Sequence, residues 1–320
     1  ICLGTPARDG RVFDLSLDGV EVDVHREGWR KVTTWHTPHG DVHKVELQTA
    51  ELERSGLPGR IVEYPLKDES DYRSWQWIVE RMRWAPAYDA YNAYDAEIGD
   101  DGLPMVSAGD VPLHEWLEGL AGYERGFYHL ADWPATVERL LSLMAEVQRE
   151  RLWPVLANSP ARLLLHGMHL SSQFTPPRLF RRFVLPYYRA LMPILHERGL
   201  RVAMHADNDT SAILPLIEEA GWDMVECFVT APMVSTTLAQ ARAAWGDRVI
   251  IWGGLPSVLL SPHVSEAEFQ AAVRTILRDV APGDAFILGV ADNVMPDSII
   301  ERVAWVSEIV EREVWLPLRR

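Results

Sequence analysis

Histidines and carboxylates punctuate the ends of apolar runs in the second half of this chain. The pair best spaced for chemistry is His205 and Asp207, which close the run RVAMHAD two residues apart. Alternate residues of a strand face the same way, so both side chains can reach one ion or one substrate atom. An imidazole with carboxylates is a competent donor set for zinc or another divalent metal. The same pair equally describes a structural His–Asp hydrogen bond, so spacing alone leaves both readings open. Comparable run ends carry His166 and His169, Glu226 and Cys227, Trp252 with Gly253 and Gly254, and Asp292 with Asn293. A charge at such a place needs a partner, a metal or a ligand to offset its desolvation.

Each of these positions has a competing reading. Glu226 and Cys227 are adjacent, so regular strand alternation lets only one face the site. Glu226 is the choice, because a carboxylate turned among helix-packing residues would be costly; Cys227 then reads as a small buried hydrophobe. Asp292 opens the loop ADNVMPDS, where Asp297 is the better cap for the helix that follows. His169 reads either as a catalytic imidazole or as a loop residue bonded to backbone, and His166 is equally balanced between site and core. The glycine pair permits a sharp turn or a close approach of backbone or substrate.

The elements that would position these groups alternate regularly. Strand-like RLLLHG, RVAMHA, DMVECFV, RVIIWGG and AFILGV are each followed by a helical run, the last from Asp297 to about Val314. Strict βα alternation predicts a parallel sheet with helices outside it. With weaker units upstream, it adds up to an α/β fold, a closed (β/α)8 TIM barrel whose active site lies at the C-terminal strand ends. No GxGxxG follows a strand, so a dinucleotide-binding open sheet lacks its signature. Upstream, VFDLSLDG, VEVDVHREG, KVTTWHTPHG and VHKVEL read as an antiparallel meander. YRSWQWIVERMRW reads as an amphipathic helix, 95–102 as an acidic turn and PMVSAG as a strand. The domain reading is residues 1–66 as a β-rich extension packed on the barrel and 67–320 as the barrel.

Composition bounds the function. The formal net charge of -15 repels phosphate backbones and argues against nucleic-acid partners. Two cysteines, Cys2 and Cys227, supply neither a disulfide scaffold nor an all-thiolate zinc site. No apolar run of spanning length and no leader pattern near Ile1 are present, so the expectation is a cytoplasmic protein without a membrane partner. Oligomeric state is left between monomer and homodimer.

The stretch from about Leu163 to Val310 resembles the uroporphyrinogen decarboxylase superfamily, which includes zinc methyltransferases working with corrinoid proteins. The likeness is carried by PPRLFRRFVLPYYRALMPILHERGLRVAMHADND, ILPLIEEAGWDMVECF, WGDRVIIWGGLPSVLLSP and GDAFILGVADNVMPDS. It implies the barrel fold and, for thiol-methylating members, zinc held by a His, a Cys two residues on and a distant Cys. Here those places carry His205, Asp207 and Asp292, so oxygen ligands replace thiolates. The Arg-rich motif of the true decarboxylases is missing near Arg8, Arg11, Arg26 and Arg30.

The expected function is therefore a metal-dependent methyltransferase or demethylase, closer to the corrinoid-linked branch. It would move a methyl group from a small substrate, such as a methoxylated aromatic, to a corrinoid on a separate partner protein. Zinc would be held by His205, Asp207, Glu226 and Asp292. His166, His169 and Asp207 would serve catalysis, and Trp252, Gly253 and Asn293 would contact substrate. The alternatives are a metal-independent decarboxylase-like lyase acting on a non-porphyrin substrate, and a non-catalytic small-molecule-binding barrel.

Overall fold

The computed structural model describes residues 11–54 and 58–313. Cys2, Arg8 and the expected helix end at Val314 lie outside the described residues. The fold is α/β of the TIM-barrel class, with antiparallel β-strands in the N-terminal part. The described residues divide into two compact units, one drawn from 11–91 and 110–160 and the other from 92–109 and 161–313.

In the first of these units, β1 (Phe13–Leu17) is followed by β2 (Glu21–Glu27), β3 (Arg30–His36), β4 (Val42–Leu47) and β5 (Arg60–Glu63). Strands β2 to β5 form an antiparallel sheet in chain order; alternation and Gly turns predict β2 to β4, and β5 joins the edge of β4 beyond the expected meander. The expected meander is corrected at its first strand. β1 pairs instead with β6 (Met82–Pro86), from Phe13 opposite Pro86 to Leu17 opposite Met82. The predicted helix through MRW accordingly stops early: it spans Asp71–Val79, and the residues after it are claimed by that ladder. Helical periodicity was legible there, but a long-range strand partner outweighs it. The acidic stretch expected as a turn is also corrected, since Tyr88–Ile98 is helical and a 3-10 turn, Gly99–Asp101, follows.

The other unit holds the parallel sheet. β7 (Met105–Ser107), β8 (Leu163–Leu165), β9 (Arg201–His205), β10 (Met224–Phe228), β11 (Ile250–Pro256) and β12 (Phe286–Ala291) hydrogen-bond in chain order. Their pairings are all parallel, so each connection must cross over outside the sheet. Two of the crossover helices begin where side chains satisfy their first N–H groups. Thr237 with Gln240 caps Leu238–Trp245, and Ser265 with Glu268 caps Glu266–Asp279, both as reciprocal capping boxes. The last helix begins at Glu301, so Asp297 is not its cap. No helix among the described residues is long and apolar enough to cross a membrane.

The two faces of this sheet are distinct. Leu164, Val202, Met204, Val225 and Ile251 are fully buried on one face. The other face carries an apolar layer of Leu163, Ala203 and Met224, with Met105, Leu165, Ile250 and Trp252 packed against it. Burial of both faces explains why the strand bodies are continuous runs of Leu, Val, Ile and Met.

Candidate metal centre

Strand parity decides what reaches the site. His205 lies two residues beyond Ala203 and therefore on the face of the Leu163–Ala203–Met224 layer. The ladder continues past it, because Ala206 N–H donates to the Glu226 carbonyl at 2.9 Å. Asp207 is thereby kept on the same side, with Oδ2 3.7 Å from His205 Nε2. Glu226 stands opposite His205 in the β9–β10 register, and its Oε2 lies 2.6 Å from Nδ1 of that ring. The imidazole is thus fixed through one nitrogen by a buried carboxylate, leaving Nε2 toward Asp207.

His169 joins from the loop after β8. The chain turns at Gly167 (φ +103) and His169 itself adopts φ +52. The glycine is required there, since a Cβ would lie 2.9 Å from Tyr188 Oη and 3.1 Å from the Trp222 ring. His169 Nδ1 is 2.8 Å from Asp207 Oδ2, and its ring stands edge-on to His205 at 5.2 Å. A carboxylate is thus one of its partners. His169, His205 and Asp207 together offer three ligand atoms within 4.8 Å of one another.

A second group shares the same histidine. His205, Cys227 and Asp292 also offer ligand atoms within 4.8 Å, and Cys227 Sγ donates to Asp292 Oδ1 at 3.4 Å. Cys227 was missed as a site residue because regular alternation turns it away from Glu226. The register shifts between Val225 and Phe228, and Cys227 has φ +55, so a bulge brings both neighbours toward the site. The available signal was the glycine pair across the ladder. At Gly253 (φ +136) a Cβ would stand 2.6 Å from Phe228 N, so β11 closes on the bulge only without a side chain.

The remaining predicted residues are placed as follows. His166 has the parity of Leu164; it is fully buried, with Nδ1 2.9 Å from Tyr188 Oη on the helix Leu185–His196. It is not gathered with His169 and His205. Trp252 packs onto the Leu163–Ala203–Met224 layer. Gly253 faces the β10 backbone. Asn293 and Asp292 line a cavity of about 490 Å³ with Leu255, Leu288, Val290, Val294, Val303 and others.

Charge follows from this geometry. Burial disfavours a charged His205, but hydrogen bonds and attraction from Asp207 and Glu226 outweigh it and push its pKa up to about 10. For Asp207, burial is likewise outweighed, here by His169 and His205, and its pKa falls well below the usual carboxylate range. Asp207, Glu226 and Asp292 around one imidazole make a site that favours a cation. The donor chemistry fits a divalent metal: nitrogen, carboxylate oxygen and sulfur converge, and a carboxylate orients the shared histidine as metal-bound imidazoles require.

Comparisons with known proteins agree with the fold. A family model described as uroporphyrinogen decarboxylase (URO-D) matches residues 116–313, more than half of the chain. A methyltransferase from Methanosarcina mazei superposes with a TM-score of 0.50 at 15% identity. That match covers 69% of this chain and 63% of the other, so this chain spans less than two thirds of its length. A dipeptide epimerase from Methylococcus capsulatus aligns at 16% identity over 91% of this chain and 79% of its own, with a TM-score of only 0.27. A fructuronate-tagaturonate epimerase from Cohnella laeviribosi gives 9% identity, 85% and 72% coverage, and a TM-score of 0.28. At these identities the first likeness speaks for the fold alone, and the two epimerases carry no argument. No curated protein matches the chain.

Proposed function

The chain belongs to the uroporphyrinogen decarboxylase family, and from that premise we propose that it is a metal-dependent methyltransferase of the O-demethylase type. The observation that carries this reading is the convergence of ligand atoms on His205 from four strand ends, after β8, β9, β10 and β12. His205 and Asp292, which offer ligand atoms within 4.8 Å of each other, would hold the ion, probed first as zinc, while Asp207 approaches the same imidazole in its own group with His169. Glu226 holds the imidazole through Nδ1 and so serves as its orienting carboxylate, in place of the ligand role its sequence position suggests. When bound, the metal supplies Lewis-acid polarisation of an ether oxygen.

The chain's own groups do the rest. The cavity beside Asp292, walled by Leu255, Leu288, Val290, Val303 and Val306, seats a small apolar substrate such as a methoxylated aromatic. A reduced corrinoid brought by a separate protein would supply the electron pair that accepts the methyl group, and the pair of the broken C–O bond would stay on the aryl oxygen. His169 delivers a proton to the departing oxygen, and Asp207 holds that imidazole in place at 2.8 Å.

Elemental analysis of purified protein tests the proposal. The expected result is about one zinc per chain, lost in His205→Ala, with demethylation of a methoxylated aromatic when reduced cobalamin is supplied. A folded, active protein free of metal would sink it. One observation favours a second reading, a metal-independent lyase. An imidazole clamped between Asp207 and Glu226, with its pKa at about 10, is a stable cation in its own right. That cation could stabilise a developing carbanion, and the same metal analysis separates the two.

A further inference from the structure

The donor set has a thiol that nothing in the foregoing assignment uses, and we infer that Cys227 is a ligand of the same ion. The inference rests on the proposed metal site and specifies its chemistry: a mixed nitrogen, oxygen and sulfur sphere that selects thiophilic cations.

Three observations carry it. First, Cys227 Sγ, Asp292 and His205 place ligand atoms within 4.8 Å of one another, the sulfur already lying 3.4 Å from Asp292 Oδ1. Closing such a triangle onto zinc takes shifts of about 1 Å or less, since ligand atoms around a tetrahedral ion with bonds of about 2.0–2.3 Å stand roughly 3.3–3.8 Å apart. Second, the sulfur reaches the site only because the backbone is bent to present it. Cys227 takes φ +55 within the β10 bulge, a left-handed conformation that disfavours a residue carrying a Cβ. Packing alone does not ask for this. Its apolar neighbours, Val229 and Ala291, would be served by any small side chain in a regular strand. Third, the bulge is accommodated by a second irregularity, the left-handed Gly253, whose missing side chain leaves room for Phe228. Two strands therefore deviate from regular geometry where one thiol is turned toward His205.

The chemical consequence follows. A thiolate gives up its proton on coordination and donates more charge than a carboxylate, so the site prefers zinc, cobalt or cadmium over magnesium or calcium. An oxygen-only set around His205 would lack that discrimination.

The test uses the whole 320-residue chain carrying Cys2→Ser, whose remaining cysteine is Cys227. Zinc-edge X-ray absorption should show one sulfur neighbour at about 2.3 Å. The cobalt-substituted protein should show a near-ultraviolet sulfur-to-metal charge-transfer band that disappears in Cys227→Ser while cobalt stays bound. Zinc affinity should fall roughly a hundredfold in that variant, at or beyond the upper end of what losing an orienting partner costs. Bound zinc with only nitrogen and oxygen neighbours, or a band that survives Cys227→Ser, overturns the inference and leaves the metal site standing. A wild-type protein that takes up neither metal overturns both.

Discussion

Replacing Glu226 by glutamine removes one negative charge and almost no volume from a side chain that is 5% exposed. Its Oε2 lies 2.6 Å from Nδ1 of His205, whose side chain is 13% exposed, so the contact is short, buried and charge-assisted. A hydrogen bond to a charged group contributes about 1.5–3 kcal/mol and a neutral one about 0.5–1.5 kcal/mol. The glutamine carbonyl keeps a neutral bond to Nδ1–H, so the expected loss is roughly 1–1.5 kcal/mol, or about tenfold in zinc affinity. Leucine removes the acceptor as well and leaves a buried N–H unpaired, which raises the loss to about a hundredfold. Competition titrations against a calibrated chelator, on proteins checked by circular dichroism, measure both values. Two results would refute the reasoning. Affinity unchanged within about twofold in Glu226→Leu would mean that the carboxylate does not orient the ligand. Complete loss of zinc in Glu226→Gln, as in His205→Ala, would make Glu226 a ligand itself.

Four further outcomes are expected. In metal-stripped protein, His205 has a pKa raised above its unfolded value near 6.5, so its contribution is complete below that pH and is lost as pH rises toward about 10. The stability difference between wild type and His205→Ala should therefore shrink by about 1.4 kcal/mol per pH unit across that window, read from urea melts; a pH-independent difference would contradict the charged His205. Asp207, with its pKa lowered, works the opposite way: its contribution is present above the ordinary carboxylate pKa and is lost as pH falls through the lowered one. Gly253→Ala should cost about 3 kcal/mol or more, because φ +136 is strained for alanine and its Cβ would sit 2.6 Å from Phe228 N. Near-native denaturation of that variant would mean that β11 does not close on β10 as described. Tyr188→Phe removes the hydrogen bond to His166 Nδ1 and should cost about 1 kcal/mol while leaving zinc content unchanged. A fall in metal content would return His166 to the site.

Much of this molecule is written in local patterns. Strand-like runs between amphipathic stretches determine a parallel α/β sheet, because only a crossover joins parallel strands and both faces must then be apolar. The pairing of His205 with Asp207 is equally local, since i and i+2 share a face in any strand. Parity even explains His166: one residue beyond Leu165, it belongs to the helix side with Leu164.

Tertiary structure decided what such rules cannot reach. β1 reads as the first strand of a meander until Met82–Pro86 offers it a partner far along the chain. The choice between Glu226 and Cys227 assumed unbroken alternation, whereas a bulge admits both residues. That bulge depends on the approach of Gly253 from the neighbouring strand, a contact between residues distant in sequence. Local spacing determined which residue types stand at the strand ends; which of them converge on His205 was settled by register, bulge and loop, where small backbone changes redirect whole side chains.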